Sequence, residues 1–202
     1  MDIDIGLSTW NPGKAEQIRA LFVGTPIRIL TLDDLKIEGE GIEDGSTLEE
    51  NAGKKAAFAW GNTDKMWVMA DDTGLFIEAL GGEPGVITAD WAGKEVKGEA
   101  LRDFVLEKIS QIPEGSRTAY WETVAVVRDP KGNAYSFTGK ATGVLISEPR
   151  GPVQAGMPYS QIFIPDGSTK TWAEMSIEEE NAISHRGKAF QQVREFLLKQ
   201  LR

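Results

Sequence analysis

Cysteine is absent from the 202 residues, and histidine occurs once, at His185. Without cysteine, the chain can form neither a disulfide framework nor a thiolate metal site, which fits a reducing compartment. One histidine leaves little scope for histidine-based zinc catalysis, and a Ser–His–Asp triad would have to use His185. Carboxylates, lysines and arginines are therefore the main candidates for chemistry.

Long apolar runs and an excess of basic residues are also missing. No stretch approaches the roughly 18 apolar residues that a membrane helix needs. The opening residues MDIDIGLST carry acids where a secretory signal carries basic residues. The formal net charge of -9 argues against a polynucleotide-binding surface. We expect a cytoplasmic protein with no membrane or polynucleotide partner, although a few cations and a divalent metal can still bind a small phosphorylated ligand.

The length and the composition suit one domain, 1–202, built of two lobes. Hydrophobic residues make up 41% and charged residues 26%, so a sizeable core is available. Periodicity predicts intermixed strands and helices of a mixed α/β class, and the turn DPKGN predicts an antiparallel hairpin. The predicted strands cover 2–9, 27–31, 66–70, 118–129, 133–146 and 162–165, and the predicted helices cover 15–22, 46–60, 100–112 and 176 to about 200.

Two adjacent acids, Asp71 and Asp72, follow the predicted strand MWVMA. Because adjacent strand residues point to opposite sides, one acid can face a cleft while the other holds the chain. Thr73 adds a hydroxyl, and Gly74 allows a close approach of a ligand or backbone. The plainer alternative is a capped turn in which the two acids bind only the backbone.

Further acids and cations occur on both sides of this strand. Glu43 lies in the acidic, glycine-rich loop KIEGEGIEDG (36–45), which is either a solvated face or part of a magnesium site. On the next helix, Glu50 and Lys54 form a surface pair at i,i+4, whereas Lys55 has no such partner and is freer to reach a phosphate. The segments STWNPGK (8–14) and SHRGK (184–188) each group hydroxyls with cations.

In this order, the motifs resemble the inosine triphosphate pyrophosphatase family across nearly the whole chain. The resemblance implies an ITPase-like α/β fold with two lobes, a mixed sheet and a central cleft. It also implies a magnesium-dependent homodimer that cleaves a nucleoside triphosphate between its α and β phosphates. The matching stretches are STWNPGK (8–14), EDGSTLEENAGKKA (43–56), ADDTGLFIEALGGEPGV (70–86), IFIPDGSTKTWAEM (162–175) and ENAISHRGKAF (180–190).

The same resemblance assigns roles to individual residues. Asp72 takes the place of the general base and metal ligand, and Glu43 takes that of the second metal carboxylate. Lys14 and Lys55 match phosphate-binding lysines of the catalytic set, and Asp71 would brace the turn or assist. The remaining positions match substrate contacts: Ser8, Thr9, Asn11, Thr73, Tyr159, Ser160, Glu180, His185 and Arg186.

The match departs from the family at the base pocket. Where the family reads Phe-Gly-(Tyr or Trp)-Asp-Pro, this chain reads Met157-Pro158-Tyr159-Ser160-Gln161, and Glu180 replaces a lysine. A lysine only donates hydrogen bonds, whereas a carboxylate only accepts them. A base that contacts Glu180 must therefore donate a hydrogen bond, whereas one that contacts the lysine must accept one. One hypothesis is a preference for a base with an exocyclic amino group, or relaxed selection; the alternative is that Glu180 points to solvent at a helix start.

Two other functions are compatible with these residues. A nucleotide-binding regulatory pseudoenzyme on the same fold would explain the changed base pocket, although the retained Asp72, Glu43, Lys14 and Lys55 argue against it. A phosphatase acting on another phosphorylated metabolite would use a similar set of side chains. The phosphatase would release orthophosphate in place of pyrophosphate, and the pseudoenzyme would release neither.

Overall fold

The structure, a computed structural model, describes residues 3–201 and contains one mixed sheet of seven strands in the order β2-β1-β3-β5-β6-β7, with β4 paired to β3. The strands are β1 Ile3–Leu7, β2 Ile27–Thr31, β3 Val68–Ile77, β4 Pro84–Gly85, β5 Thr118–Arg128, β6 Ala134–Leu145 and β7 Phe163–Pro165. The helices are α1 Pro12–Leu21, α2 Leu48–Gly61, α3 Glu99–Ile109, α4 Ile177–Ile183 and α5 His185–Gln200.

The sheet combines parallel and antiparallel pairs, and β3 has both kinds of neighbour: β1 is parallel to it, and β4 and β5 are antiparallel to it. β1 runs parallel to β2 and β3, whereas β5 runs antiparallel to β3 and to β6. The β5–β6 pair is the hairpin that the turn sequence predicts. This mixed sheet with its helices confirms the α/β class. Among residues 3–201, no helix is both long and apolar enough to cross a membrane.

Two hydrophobic clusters occupy the two ends of the long strands. In one, Met69 and Val127 pack with residues of β1, α1 and α5. In the other, Leu75 and Trp121 pack with residues of α3 and β7. The polar stretch Asp71 to Thr73 lies on β3 between these clusters. The sheet therefore places its acids where one core ends and the next begins.

The prediction that a strand ends at residue 70 is wrong, and so is the capped-turn alternative. β3 continues through both acids to Ile77, with Asp71 opposite Ala125 and Asp72 opposite Val124 on β5. The β5 ladder satisfies the main chain there, and cations from other segments pair with the two carboxylates. Asp71 therefore does not brace a turn.

The predicted single helix from 176 is instead two helices, α4 and α5, which meet at Ser184. The backbone of Ser184 is extended, and its hydroxyl accepts a 3.0 Å hydrogen bond from the Gly187 amide, which caps α5. A Cβ on Gly187 would lie 2.0 Å from the carbonyl oxygen of Asn181, so only glycine permits this tight junction. In the first predicted strand, Asp2 lies outside the described residues.

Candidate active site

A cleft of about 550 Å³ opens beside the middle of β3. It brings together every residue that the sequence analysis assigned to the site, although these residues come from distant segments. Those lining residues are Ser8, Thr9, Asn11, Lys14, Glu43, Lys55, Asp72, Thr73, Tyr159, Ser160, Glu180, His185 and Arg186, and Asp71 lines the cleft with them.

The two adjacent acids bind cations from different elements, as the alternation of a strand predicts. Asp72 faces α2, where its Oδ1 lies 2.8 Å from Lys55 Nζ and its Oδ2 accepts a 3.3 Å hydrogen bond from Asn51. Asp71 faces α1 and α5, with its Oδ2 3.0 Å from Lys14 Nζ and 3.8 Å from Arg186 Nε. Each acid therefore makes its direct ion pairs with a different set of cations.

Lys55 bridges two carboxylates at one end of the cleft. Besides Asp72, its ammonium lies 3.2 Å from Glu43 Oε2 of the acidic loop. Burial alone would lower the pKa of Lys55, but the carboxylates of Asp72, Asp71 and Glu43 outweigh burial and raise that pKa. Glu43 is itself exposed, so the acidic loop keeps a solvated face while one of its carboxylates reaches Lys55. The predicted Glu50–Lys54 pair is wrong: Lys54 binds Asp44, and Glu50 accepts hydrogen bonds from Ser46.

The residues that are candidates for a metal site are Glu43 and Asp72. Within residues 3–201, no group of three or more histidine or acidic side chains forms a protein-only cage for a metal. Magnesium in nucleotide sites is bound by one or two carboxylates together with substrate phosphates and waters. Two carboxylates that share one displaceable ammonium fit a magnesium ion that binds together with a polyphosphate.

Asp71 forms the centre of a buried charge cluster. Burial opposes its ionisation, but Lys14, Arg186 and Lys55 outweigh burial and hold its pKa well below the ordinary value. Burial also lowers the pKa of Lys14, partly offset by Asp71. The second carboxylate oxygen of Asp71, Oδ1, has no hydrogen-bond partner among the described residues. Two cations thus converge on one carboxylate beside the cleft.

The turn between β1 and α1 is fixed by Asn11. Its side-chain oxygen accepts a hydrogen bond from the Lys14 amide and caps α1, while its Nδ2 donates to the carbonyl of Gly156 at 2.8 Å. Gly156 has a φ of +71°, and a Cβ there would meet the Asn11 side chain. Asn11 therefore joins the start of α1 to the 151–158 loop as well as lining the cleft.

The opposite end of the cleft is aromatic. The His185 ring stacks on Trp121 with 5.4 Å between the ring centroids and also lies beside Trp172. Burial, with a smaller contribution from Arg186, lowers the pKa of His185 well below its ordinary value, so its imidazole is neutral. The Tyr159 hydroxyl donates to the Thr88 carbonyl at 2.9 Å. This end provides flat, uncharged surfaces.

Glu180 also lines the cleft, and it is not directed to solvent. Only 2% of the residue is exposed, and burial raises the pKa of its carboxyl against the opposing effect of Arg186. The alternative in which Glu180 is a solvated residue at a helix start is therefore wrong. Desolvation of a carboxyl is costly without a polar partner, and here Arg186 and the Gln17 side chain are those partners.

Several lining residues were missed by the sequence analysis. Trp121 lies in the strand predicted over 118–129 but was given no role, and Lys97 belongs to none of the quoted motifs. Trp10 lies inside a quoted motif, and its Nε1 donates to the Gly39 carbonyl at 3.0 Å. The quoted stretch IFIPDGSTKTWAEM contained Trp172, so the motif itself was the available signal. The missed lining residues include Trp10, Thr88, Lys97, Trp121 and Trp172.

Comparison with known proteins places this cleft in a family. The sequence profile of the Ham1 family matches residues 5–196. A dITP/XTP pyrophosphatase of Caldanaerobacter subterraneus subsp. tengcongensis is 38% identical over 195 residues, covering 96% of each chain. A dITP/XTP pyrophosphatase of Geobacter sulfurreducens is 37% identical over 191 residues, covering 95% of this chain and 94% of that relative.

Solved structures give the same result. A HAM1 protein from Coxiella burnetii superposes with a TM-score of 0.83 at 31% identity, covering 98% of this chain and 99% of the other. The Staphylococcus aureus Ham1 protein superposes with a TM-score of 0.80 at 30% identity, with the same coverage. These matches confirm the family resemblance of the motifs, and the chain belongs to the Ham1 family.

Proposed function

We propose that the chain is a magnesium-dependent nucleoside triphosphate pyrophosphatase that removes ITP, dITP and XTP. It hydrolyses them to a nucleoside monophosphate and pyrophosphate. The observation that carries the proposal is the Lys55 ammonium shared by Glu43 and Asp72 at one end of a cleft whose other end is aromatic. Relatives that match over nearly their whole length are named dITP/XTP pyrophosphatases.

Asp72 is the proposed general base. A carboxylate positioned beside a water can take its proton as the water oxygen bonds to the α-phosphorus. The bond from that phosphorus to the bridging oxygen breaks, and its electron pair leaves with pyrophosphate. In the structure Asp72 is fixed by Lys55 and Asn51, so its oxygens are oriented before substrate arrives. Thr73, on the neighbouring position of β3, is the proposed hydroxyl contact to substrate.

Lys14 and Lys55 are the proposed phosphate ligands. A triphosphate carries about four negative charges, which favour the charged form of a buried lysine. Each lysine is held beside the cleft by an aspartate, at 3.0 and 2.8 Å, and can exchange that partner for a phosphate oxygen. Magnesium, when bound by Glu43 and Asp72, supplies positive charge that stabilises the leaving pyrophosphate. Ser8, Thr9 and Asn11 line the same side.

Product identification tests the proposal. Incubation of the protein with ITP and magnesium is expected to release IMP and pyrophosphate in equal amounts, and removal of magnesium with a chelator is expected to stop the release. Chromatography of the nucleotides with an enzymatic pyrophosphate assay measures both. Orthophosphate in place of pyrophosphate would identify a phosphatase, and binding without turnover would identify a nucleotide-binding pseudoenzyme.

We also propose altered base selection at the aromatic end, where Tyr159, Ser160, His185 and Arg186 are the proposed base contacts. Ser160 is 6% exposed and Glu180 2% exposed, so the polar character of both positions acts inside the cleft. A carboxylate accepts hydrogen bonds from an exocyclic amino group, whereas the lysine of the family donates to an oxo group.

Glu180→Lys is expected to shift selection towards the oxo bases. The ratio of kcat/KM for ITP or XTP to that for dGTP or dATP should rise about tenfold, because a mismatched buried hydrogen bond costs about 1–3 kcal/mol. Initial rates over the four nucleotides measure the ratio. Glu178→Lys, the same change at an exposed position of α4, is the control and should leave it unchanged. A wild-type protein that clearly prefers ITP and XTP contradicts altered selection.

We further propose a homodimer, which the family resemblance implies, and one domain over 1–202 and a cytoplasmic location, which length and composition predict. Size-exclusion chromatography with light scattering tests the first, since the 22.1 kDa chain would elute as a particle of twice that mass. Limited proteolysis tests the second, because a single domain should resist internal cleavage.

A further inference from the structure

The segment 157–161 forms part of the wall at the aromatic end of the cleft. Met157, Pro158, Tyr159 and Ser160 all line the cleft, and the buried Gln161 follows directly. The side chain of Gln161 accepts a 2.6 Å hydrogen bond from Nη1 of Arg102 on α3. A helix outside the described site thus contacts the base-pocket wall through one side chain.

Gln161 uses both ends of its amide. While its Oε1 accepts from Arg102, its Nε2 donates a 2.7 Å hydrogen bond to the Gly151 carbonyl at the start of the same loop. Its main-chain carbonyl accepts from the Arg150 amide at 2.9 Å. Gln161 therefore joins the two ends of the 151–161 loop and connects both to α3.

Arg102 is itself held in position. Its Nη2 lies 2.7 Å from Asp103 and its Nη1 lies 3.2 Å from Glu99, and its side chain is only 11% exposed. Two carboxylates of its own helix therefore orient the guanidinium towards Gln161. A hydrogen bond from a charged donor is stronger than one between neutral groups. The hydrogen bond from Arg102 to Gln161 is therefore suited to holding the 157–161 segment in one position.

We propose that Arg102 is a positioning residue, which fixes the 157–161 wall through Gln161 and so sets nucleobase binding and discrimination. This inference rests on the proposed function. The carboxylates and lysines proposed for hydrolysis lie on β3, α1, α2 and the acidic loop, away from this contact.

The test measures whether substitution of Arg102 changes KM, kcat or both. Arg102→Met removes every donor and keeps the length of the side chain. It is expected to raise KM about tenfold for the best nucleotide with kcat within about twofold, and to narrow the differences in kcat/KM among ITP, XTP, dATP and dGTP. Lys108→Met, the same kind of change on α3, is the control and should leave KM unchanged. Arg102→Lys keeps a cationic donor and should recover part of the affinity.

A double-mutant cycle with Gln161→Met identifies the partner. If the two residues act through one contact, the double variant should raise KM no more than the stronger single variant does. An unchanged KM in Arg102→Met, additive effects in the cycle, or a fall in kcat equal to the fall in kcat/KM overturns the inference. Should Arg102→Met fail to fold, the KM of Gln161→Met decides by the same criterion.

The failure of the proposed function is distinguishable from the failure of this inference. If wild-type protein releases no pyrophosphate from any of the four nucleotides, the proposed function is wrong. The dissociation constant of each nucleotide, measured by tryptophan fluorescence, then replaces KM in the same variants. An unchanged dissociation constant in Arg102→Met again overturns the positioning role.

Discussion

Asp72→Asn is expected to lower kcat for pyrophosphate release by about a thousandfold, with a much smaller change in KM. The variant removes the proposed proton acceptor and one of two proposed metal carboxylates in a single step, and general-base catalysis alone contributes about 10²–10⁴-fold. An asparagine oxygen still accepts a hydrogen bond from Lys55, which lies 2.8 Å away in the wild type, so the local packing is retained. Initial rates with ITP and magnesium measure the loss.

Asp44→Asn is the matched control for this prediction. It makes the same change of charge in the acidic loop next to Glu43, but Asp44 is exposed and pairs with Lys54. Its kcat is expected to stay within about twofold of wild type, because exposed ion pairs contribute little. If Asp72→Asn retained more than about a tenth of wild-type kcat while folded, the assignment of the general base would be wrong.

Gly139→Ala is expected to prevent stable folding, or to cost at least about 3–5 kcal/mol of unfolding free energy. A Cβ at this position of β6 would lie 2.0 Å from the His185 carbonyl oxygen and 2.6 Å from the Ala189 amide. Both are main-chain atoms of the first turns of α5, so no side chain can move aside. Relief would require the start of α5 to shift, and with it His185 and Arg186 in the cleft.

Substitution of Gly53 by alanine should instead raise the unfolding free energy. Gly53 lies inside α2, and a Cβ there meets nothing within 4 Å. Alanine in the middle of a helix is favoured over glycine by about 0.5–1 kcal/mol, so Gly53→Ala should raise the midpoint of thermal unfolding. Thermal unfolding measures the midpoint of each variant beside wild type, and chemical denaturation measures the unfolding free energy. A Gly139→Ala protein as stable as wild type would contradict the close packing of β6 against α5.

The sequence predicted local structure well where one segment carries its own signal. The β5–β6 hairpin followed from alternation and a turn motif, and α2 lies almost wholly within the helix predicted over 46–60. The extent of β3 could not be predicted in this way. Two acids inside a strand are stable only because Lys14, Lys55 and Arg186 come from other segments, and local propensity does not include those partners.

The sequence predicted which residues form the candidate site but not which of them contact one another. Motif order identified every proposed ligand, yet the pattern at Glu180 equally fitted an exposed residue at a helix start. The burial of Glu180 depends on the break between α4 and α5, which a continuous helical period conceals. The connection from Arg102 to Gln161 spans separate segments of the chain and has no sequence signature at all.

Asp71 and Asp72 lie on opposite faces of β3, so the register of this strand against β5 determines which cations each acid contacts. A slip of one residue against β5 would exchange the faces of the two acids, so that Asp71 would meet the Lys55 side and Asp72 the Lys14 side. Ten consecutive pairs between β3 and β5 oppose such a slip. A single-residue insertion early in β3 would therefore disable catalysis even in a protein that still closed its sheet.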